Sequence, residues 1–317
     1  MKRDLLSLSD FGASGLIDLL DRAEAYERSR GRSDHPHPLQ GQSVALLFDK
    51  PSTRTRFSLE VATVELGGHP IVLPQSAHPL NFREPLEDIA RVLGRMVTAV
   101  AYRTNTLSEL GALAQFCRVP VVNALTDETH PLQVLADLYT VRKVRGHLDG
   151  VKVAWVGDAT NVARSWIEAA GLLKLHLVLA APGGFEPPSQ DVARANERGA
   201  LVELTKHAEE AARGADVLLT DTWVSMGKEA EAEIRRSAFL PFRLTQKLVD
   251  VASKDVIVLH CLPAHRGEEI EAEVLEGPRS YVWECVEARL HTAKAALEWV
   301  LSGDPMTPES VPPRFRS

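Results

Sequence analysis

Short apolar runs alternate with helical patterns along all 317 residues, and this rhythm constrains the fold more than any other feature of the chain. In the first half the runs fall at 43–47, 71–73, 99–102 and 119–122, and in the second at 151–156, 175–180, 201–204, 217–220 and 256–259. Strands covered on both faces read as continuous apolar runs, and parallel neighbours need a crossover helix between them. The pattern therefore predicts an α/β chain of two doubly wound parallel-sheet domains joined by helices, a division that suits a length of about 150 residues per domain. Leu16, Leu19, Leu20 and Ala23 mark an opening helix, and Gly67-Gly68 ends the helix after the first strand. A helix that opens at His130-Pro131 and runs to about Arg145 is the predicted link, because Pro131 is suited to a first helical position. The expected divisions are a first domain over 1–132, a second over 133–285, a last helix at 286–302 that packs back on the first, and a tail at 303–317 that is poorly ordered or laid against a neighbour.

Composition narrows the function classes. With 36 basic against 43 acidic residues the net charge is -7, which argues against a nucleic-acid partner drawn by long-range attraction. No apolar run is long enough for a bilayer, and Met1-Lys2-Arg3-Asp4 does not open a signal peptide, so no membrane partner is expected. Cys117, Cys261 and Cys285 fit neither a disulfide framework nor a CxxC site, which points to a reducing, cytoplasmic setting.

Ligands of open parallel sheets bind beyond the carboxyl ends of the strands, where loops converge and helix starts point inward. After the first strand stands Phe48-Asp49-Lys50-Pro51-Ser52-Thr53-Arg54-Thr55-Arg56. Hydroxyls, guanidinium groups and the free N–H groups of a helix start can converge there on a phosphate; the plainer reading is a capped surface helix with solvated arginines. Arg103 follows another strand. His130 and Gln133 share a helix face, where the N-terminal dipole disfavours a charged imidazole, so the pair could hold a carbonyl or carbamoyl group; the alternative is a His that caps its helix.

In the second half, Gly157-Asp158-Ala159-Thr160-Asn161, Asp221-Thr222-Trp223-Val224-Ser225-Met226-Gly227 and His260-Cys261-Leu262-Pro263 all follow strands. The first lacks the GxGxxG spacing of a dinucleotide loop. His260, Cys261 and His265 lack the partners of a tetrahedral zinc set, so neither a metal nor a cofactor is expected. Cys117 and Cys285 read as small core residues, and His35 and His37 as loop residues.

Taken together these motifs resemble the aspartate/ornithine carbamoyltransferase family over nearly the whole chain. Ser52-Thr53-Arg54-Thr55-Arg56 is similar to its carbamoyl phosphate signature, and Asp221 with Ser225-Met226-Gly227 and His260-Cys261-Leu262-Pro263 to its ornithine branch. The resemblance implies transfer of a carbamoyl group from carbamoyl phosphate to the side-chain amine of L-ornithine. It assigns carbamoyl phosphate to Ser52, Thr53, Arg54, Thr55, Arg103, His130, Gln133, Cys261, Leu262 and Arg289, and ornithine to Asn161, Asp221, Ser225 and Met226. Within that set Arg54, Arg103, His130 and Cys261 would carry the chemistry, while Arg56 would support the loop.

The resemblance further implies a homotrimer or a multiple of trimers, in which a loop of one subunit reaches the neighbouring site. The sequence departs from the family at Pro79, where relatives often carry Gln, and at Ala288, where they usually carry Asn. Two rival readings follow: a different acceptor, such as putrescine or an acylated ornithine, and a catalytically silent binding homologue.

Overall fold

The computed structural model describes residues 2–73, 80–82, 84–224 and 229–302, the side chains of Asn81 and Glu229 apart. The chain forms two compact units, one of residues 1–135 with the segment from Ala288 onward, the other of residues 136–287.

The first unit opens with α1 (Gly12–Ser29) and β1 (Ser43–Phe48), followed by α2 (Arg54–Glu65), β2 (His69–Leu73), α3 (Leu86–Met96) and β3 (Ala99–Arg103). It continues with α4 (Leu107–Phe116), β4 (Val121–Leu125) and the start of α5 (Pro131–Arg145), which carries the chain into the second unit. Its four strands lie in the order β2-β1-β3-β4, all parallel. β1 is buried almost throughout, as a central strand covered on both faces must be, whereas β2 at the edge alternates exposed and half-buried residues. Ala45, Leu47, Val100, Tyr102 and Val121 form a core with Leu110 and Leu113 of α4. Each such leucine is worth about 1.5–3 kcal/mol when fully buried, so packing rather than helix propensity holds α4 in place. Its start is set locally: Thr106 Oγ1 accepts from Glu109 N at 3.1 Å, and Thr106 N donates to the Glu109 carboxylate at 3.3 Å.

The second unit runs through β5 (Lys152–Val156), α6 (Asn161–Leu173), β6 (His176–Ala180), α7 (Ser189–Glu197), β7 (Leu201–Thr205), α8 (Ala208–Ala212) and β8 (Val217–Thr220). After these come α9 (Ala232–Phe239), α10 (Gln246–Val251), β9 (Ile257–His260), α11 (Ala272–Leu275) and α12 (Val282–Leu301), within which the chain returns to the first unit. Its five strands are ordered β7-β6-β5-β8-β9, again all parallel. The expected architecture of two parallel-sheet α/β domains is therefore present.

Departures are confined to element ends. β4 begins at Val121 rather than 119 because Pro120 has no N–H to give the ladder; its carbonyl accepts from Val100 N at 2.9 Å instead. The last helix starts at Val282, ahead of the predicted 286. Cys117 and Cys285 are both buried, as expected of small core residues.

Candidate active site

In the first unit, strand register brings the loop after β1 to its partners. β1 pairs with β3 so that Phe48 lies beside Arg103, and Asp49 N donates to the Arg103 carbonyl at 3.0 Å. The side chain of Arg103 turns back over the loop and donates from Nη1 to Ser52 Oγ at 3.1 Å. Asp49 braces the turn by accepting from Tyr102 Oη, from Thr104 Oγ1 at 3.4 Å and from Leu80 N at 3.1 Å. Lys50 closes it with an ion pair to Asp127 at 2.7 Å. Thr53 is the residue before α2, and no side chain caps that helix start. Its first turn carries Arg54 and the buried Thr55 and no acidic residue.

Arg289 joins this group from α12. It donates from Nη2 to Thr55 Oγ1 at 2.7 Å and from Nη1 to Gln133 Oε1. His130 stands just before Pro131, where α5 begins, and is buried. Burial, followed by the charges of Arg289, Arg103 and Arg54, holds its imidazole well below the usual histidine range, so it is neutral at physiological pH. The same causes, burial first and then the Arg289 and Arg54 cations, bring the Arg103 guanidinium down to about 10. Arg103 Nε is buried with no hydrogen-bond partner among the described residues. Arg56 turns away from this cluster to pair with Glu60 at 2.6 Å.

In the second unit, register again makes the contact. Thr220 of β8 lies beside His260 of β9, so the next residues, Asp221 and Cys261, emerge side by side. Cys261 Sγ donates to Asp221 Oδ1 at 2.6 Å, and Thr222 N donates to the same oxygen at 2.7 Å. Burial raises the Asp221 carboxyl above the ordinary range, against the lowering influence of His260, Cys261 and the Thr222 N–H. His260 Nδ1 accepts from Leu262 N at 2.8 Å, which leaves its proton on Nε2, 3.2 Å from the wholly buried Glu269. This bond holds Leu262 in a left-handed turn at φ 59°.

Asn161 is the first residue of α6, beyond a loop whose Gly157 takes φ 130° and passes so close to Thr220 that an added Cβ would lie 3.3 Å from its hydroxyl. That loop is braced by residues the sequence reading passed over. Asp158 is buried and ion-paired with Arg235, which also donates from Nε to the Trp223 carbonyl at 2.5 Å. The Arg235 guanidinium lies against both Phe185 and Phe239, at 4.8 and 5.4 Å from the ring centres. Ser225 and Met226 lie outside the described residues, as does Pro79.

The ligand atoms of Asp221, His260 and Cys261 lie within 4.8 Å of one another, the spacing of a metal set. Both His260 nitrogens and the Cys261 thiol are already engaged by protein groups, however, so the donors fit internal hydrogen bonds better than an ion.

Known proteins divide along the same line. The carbamoyl-P binding domain of aspartate/ornithine carbamoyltransferase matches residues 3–143, and the Asp/Orn binding domain matches residues 149–300. The chain belongs to the aspartate/ornithine carbamoyltransferase family. Among curated family members, it is 49% identical to the ornithine carbamoyltransferase of Acidothermus cellulolyticus over 306 residues, covering 95% of this chain and 97% of that one. It is also 49% identical to that of Parafrankia sp. over 292 residues, covering 91% and 92% respectively. Among solved structures, the ornithine carbamoyltransferase from Pyrococcus furiosus superposes with a TM-score of 0.90 at 42% identity, covering 95% of this chain and 98% of that one. Arg289 falls within the Asp/Orn binding match, yet it belongs to the first unit, and its hydrogen bonds run to Thr55 and Gln133 there.

Proposed function

We propose that the ornithine carbamoyltransferase activity of this chain is carried by the two residue clusters described above, the first for carbamoyl phosphate and the second for L-ornithine. Ser52, Thr53, Arg54 and Thr55 hold the phosphoryl group at the open start of α2. Arg103, His130 and Gln133 hold the carbamoyl oxygen and nitrogen, and Arg289 closes over them. Cys261 and Leu262 meet the carbamoyl group from the acceptor side. Asp221 takes the cationic α-amino group of ornithine, with Asn161, Ser225 and Met226 positioning the rest of the amino-acid end.

The observation that carries this reading is the convergence of Arg54, Arg103 and Arg289 on a neutral imidazole, with Arg103 Nε still unpartnered among the described residues. Three guanidinium groups so close repel one another unless an anion joins them. A neutral His130 can donate to a carbonyl oxygen without competing for the phosphate.

The reaction then follows. The ornithine side-chain amine, with an ordinary pKa of about 10, attacks as the free base. Its nitrogen bonds to the carbamoyl carbon while the bond from that carbon to the phosphate oxygen breaks. Arg103 and His130 stabilise charge on the carbonyl oxygen, and Arg54 stabilises the departing phosphate, which accepts the amine proton. Citrulline and phosphate result, and direct transfer requires no covalent enzyme intermediate. Ligands held by the two clusters have to meet for this to occur, so closure on substrate is part of the proposal.

A homotrimer, or a multiple of trimers, is proposed as the working assembly. What supports it is the apolar surface of the first unit: Phe57 and Val64 on α2, Ile71 and Leu73 on edge strand β2 and Met96 on α3 are all exposed. A cytoplasmic location is likewise proposed; among the described residues no helix is long and apolar enough to cross a membrane. The direct test is to incubate the protein with carbamoyl phosphate and, separately, L-ornithine, putrescine and an acylated ornithine. Ureido product from L-ornithine alone is expected. Product from another amine would reassign the acceptor, and no product from any would favour a silent homologue.

A further inference from the structure

Lys294 is a cation that the chemistry above does not use, and its side chain is completely buried. Its ammonium is ion-paired with Glu65, the last residue of α2, and lies 5.9 Å above the ring of Tyr26 in α1. Glu65 is itself held from the other side by Arg30, whose Nη2 and Nε donate to it at 3.0 and 3.2 Å. Burial lowers the Lys294 pKa while Glu65 opposes that shift, so the carboxylate is what keeps the ammonium charged in this setting. Five residues earlier on α12, Arg289 bonds to Thr55 at the opposite end of α2.

The two contacts make a two-point clamp. At 1.5 Å per residue, Thr55 and Glu65 are about 15 Å apart along α2, and Arg289 and Lys294 about 7.5 Å apart along α12; two long side chains span the difference. Arg289 anchors α12 near the start of α2, at Thr55 and Gln133. Fixing a second point sets both its rotation and its axial position. An apolar pair would fill the same space at lower desolvation cost, but would not be directional.

We infer that the Glu65–Lys294 ion pair positions Arg289, setting the register of α12 on α2 so that the guanidinium stands at the carbamoyl phosphate loop. Lys294 and Glu65 are thus positioning residues rather than catalytic ones, and this role rests on the carbamoyl phosphate reading of that loop.

The test compares KM values for the two substrates. Lys294→Met is expected to raise the KM for carbamoyl phosphate about ten- to a hundredfold, as small displacements of a binding group do, and to leave the KM for ornithine within about twofold. In an Arg289→Ala background the same substitution is expected to add nothing; independent, additive effects would overturn the inference. Should Lys294→Met fail to fold, the double variant Lys294→Met/Glu65→Leu removes both charges of the buried pair and leaves only Arg30, which is exposed enough to be solvated, without its carboxylate. Recovered folding with an unchanged KM would show that the pair only packs, and would overturn the inference. Carbamoyl phosphate should raise the melting temperature of the unaltered protein. If it does not, the site reading falls and this role with it; if it does, and Lys294→Met is protected equally, only the positioning role falls.

Discussion

Cys261 donates its thiol proton to Asp221 across 2.6 Å, so the most nucleophilic atom near the proposed acceptor site is committed to a carboxylate. A thiol in that position orders an anion rather than attacking carbon. Cys261→Ser, which preserves a donor, is expected to retain measurable turnover with a raised KM for ornithine. Complete loss of activity in a folded Cys261→Ser protein would instead give the sulfur an obligatory chemical role.

Asp221 should trade stability for binding. Its folded-state pKa lies above the unfolded one, chiefly through burial, so between the two values the native state holds more protons and stability falls as pH rises. Asp221→Asn keeps an oxygen for Cys261 and the Thr222 N–H but removes the charge. Its melting temperature is expected to exceed that of the parent at neutral pH, with the advantage shrinking as pH drops through the raised carboxyl pKa. Saturation with ornithine should be lost at the same time.

Arg54→Ala is expected to weaken carbamoyl phosphate binding by about 2–5 kcal/mol, typical when one partner of a desolvated charge pair is cut away. Calorimetric titration reads this directly, and unchanged affinity would remove Arg54 from the cradle.

The Asp158–Arg235 pair is buried on both sides, so breaking it leaves an isolated charge. Arg235→Met should cost about 3–5 kcal/mol in denaturant unfolding. Because Arg235 also holds the Trp223 carbonyl, two residues beyond Asp221, the surviving folded protein should show a raised KM for ornithine and an ordinary one for carbamoyl phosphate.

With saturating substrates, turnover should climb as pH rises from neutral toward about 10, where the ornithine side chain loses its proton. His130, already neutral, adds no step of its own near pH 6.5. A rate flat across that range would place some step other than amine attack in control.

Much of the fold and of the candidate site is legible in the sequence. Continuous apolar runs gave away strands such as β1 and β5 because both faces are covered, and the residues just past them, Ser52 to Thr55, Asp221 and Cys261, could be found by position alone. Arg289 could not be. It sits 234 residues from Thr55, and only the family resemblance pointed to it. Arg235 and Lys294 were invisible for a different reason: in Glu-Ile-Arg-Arg and Thr-Ala-Lys-Ala an Arg or Lys on a helix reads as a solvated face, and nothing local announces that a carboxylate from another element will cover it. The prolyl end of β4 was misread because Val119 and Val121 look alike to a pattern, while only the second has a free place in the ladder.

The side-by-side pairing of Thr220 with His260 has a consequence for how such a protein could acquire a new acceptor. Asp221 and Cys261 owe their proximity to the last rung of the ladder, and on the proposed reading what they recognise depends on the loops beyond it. Those loops can lengthen, shorten or change composition while the ladder keeps the carboxylate and thiol abreast. Substrate preference can therefore drift quickly on a scaffold that hardly changes, and two relatives with the same sheet need not share an amine.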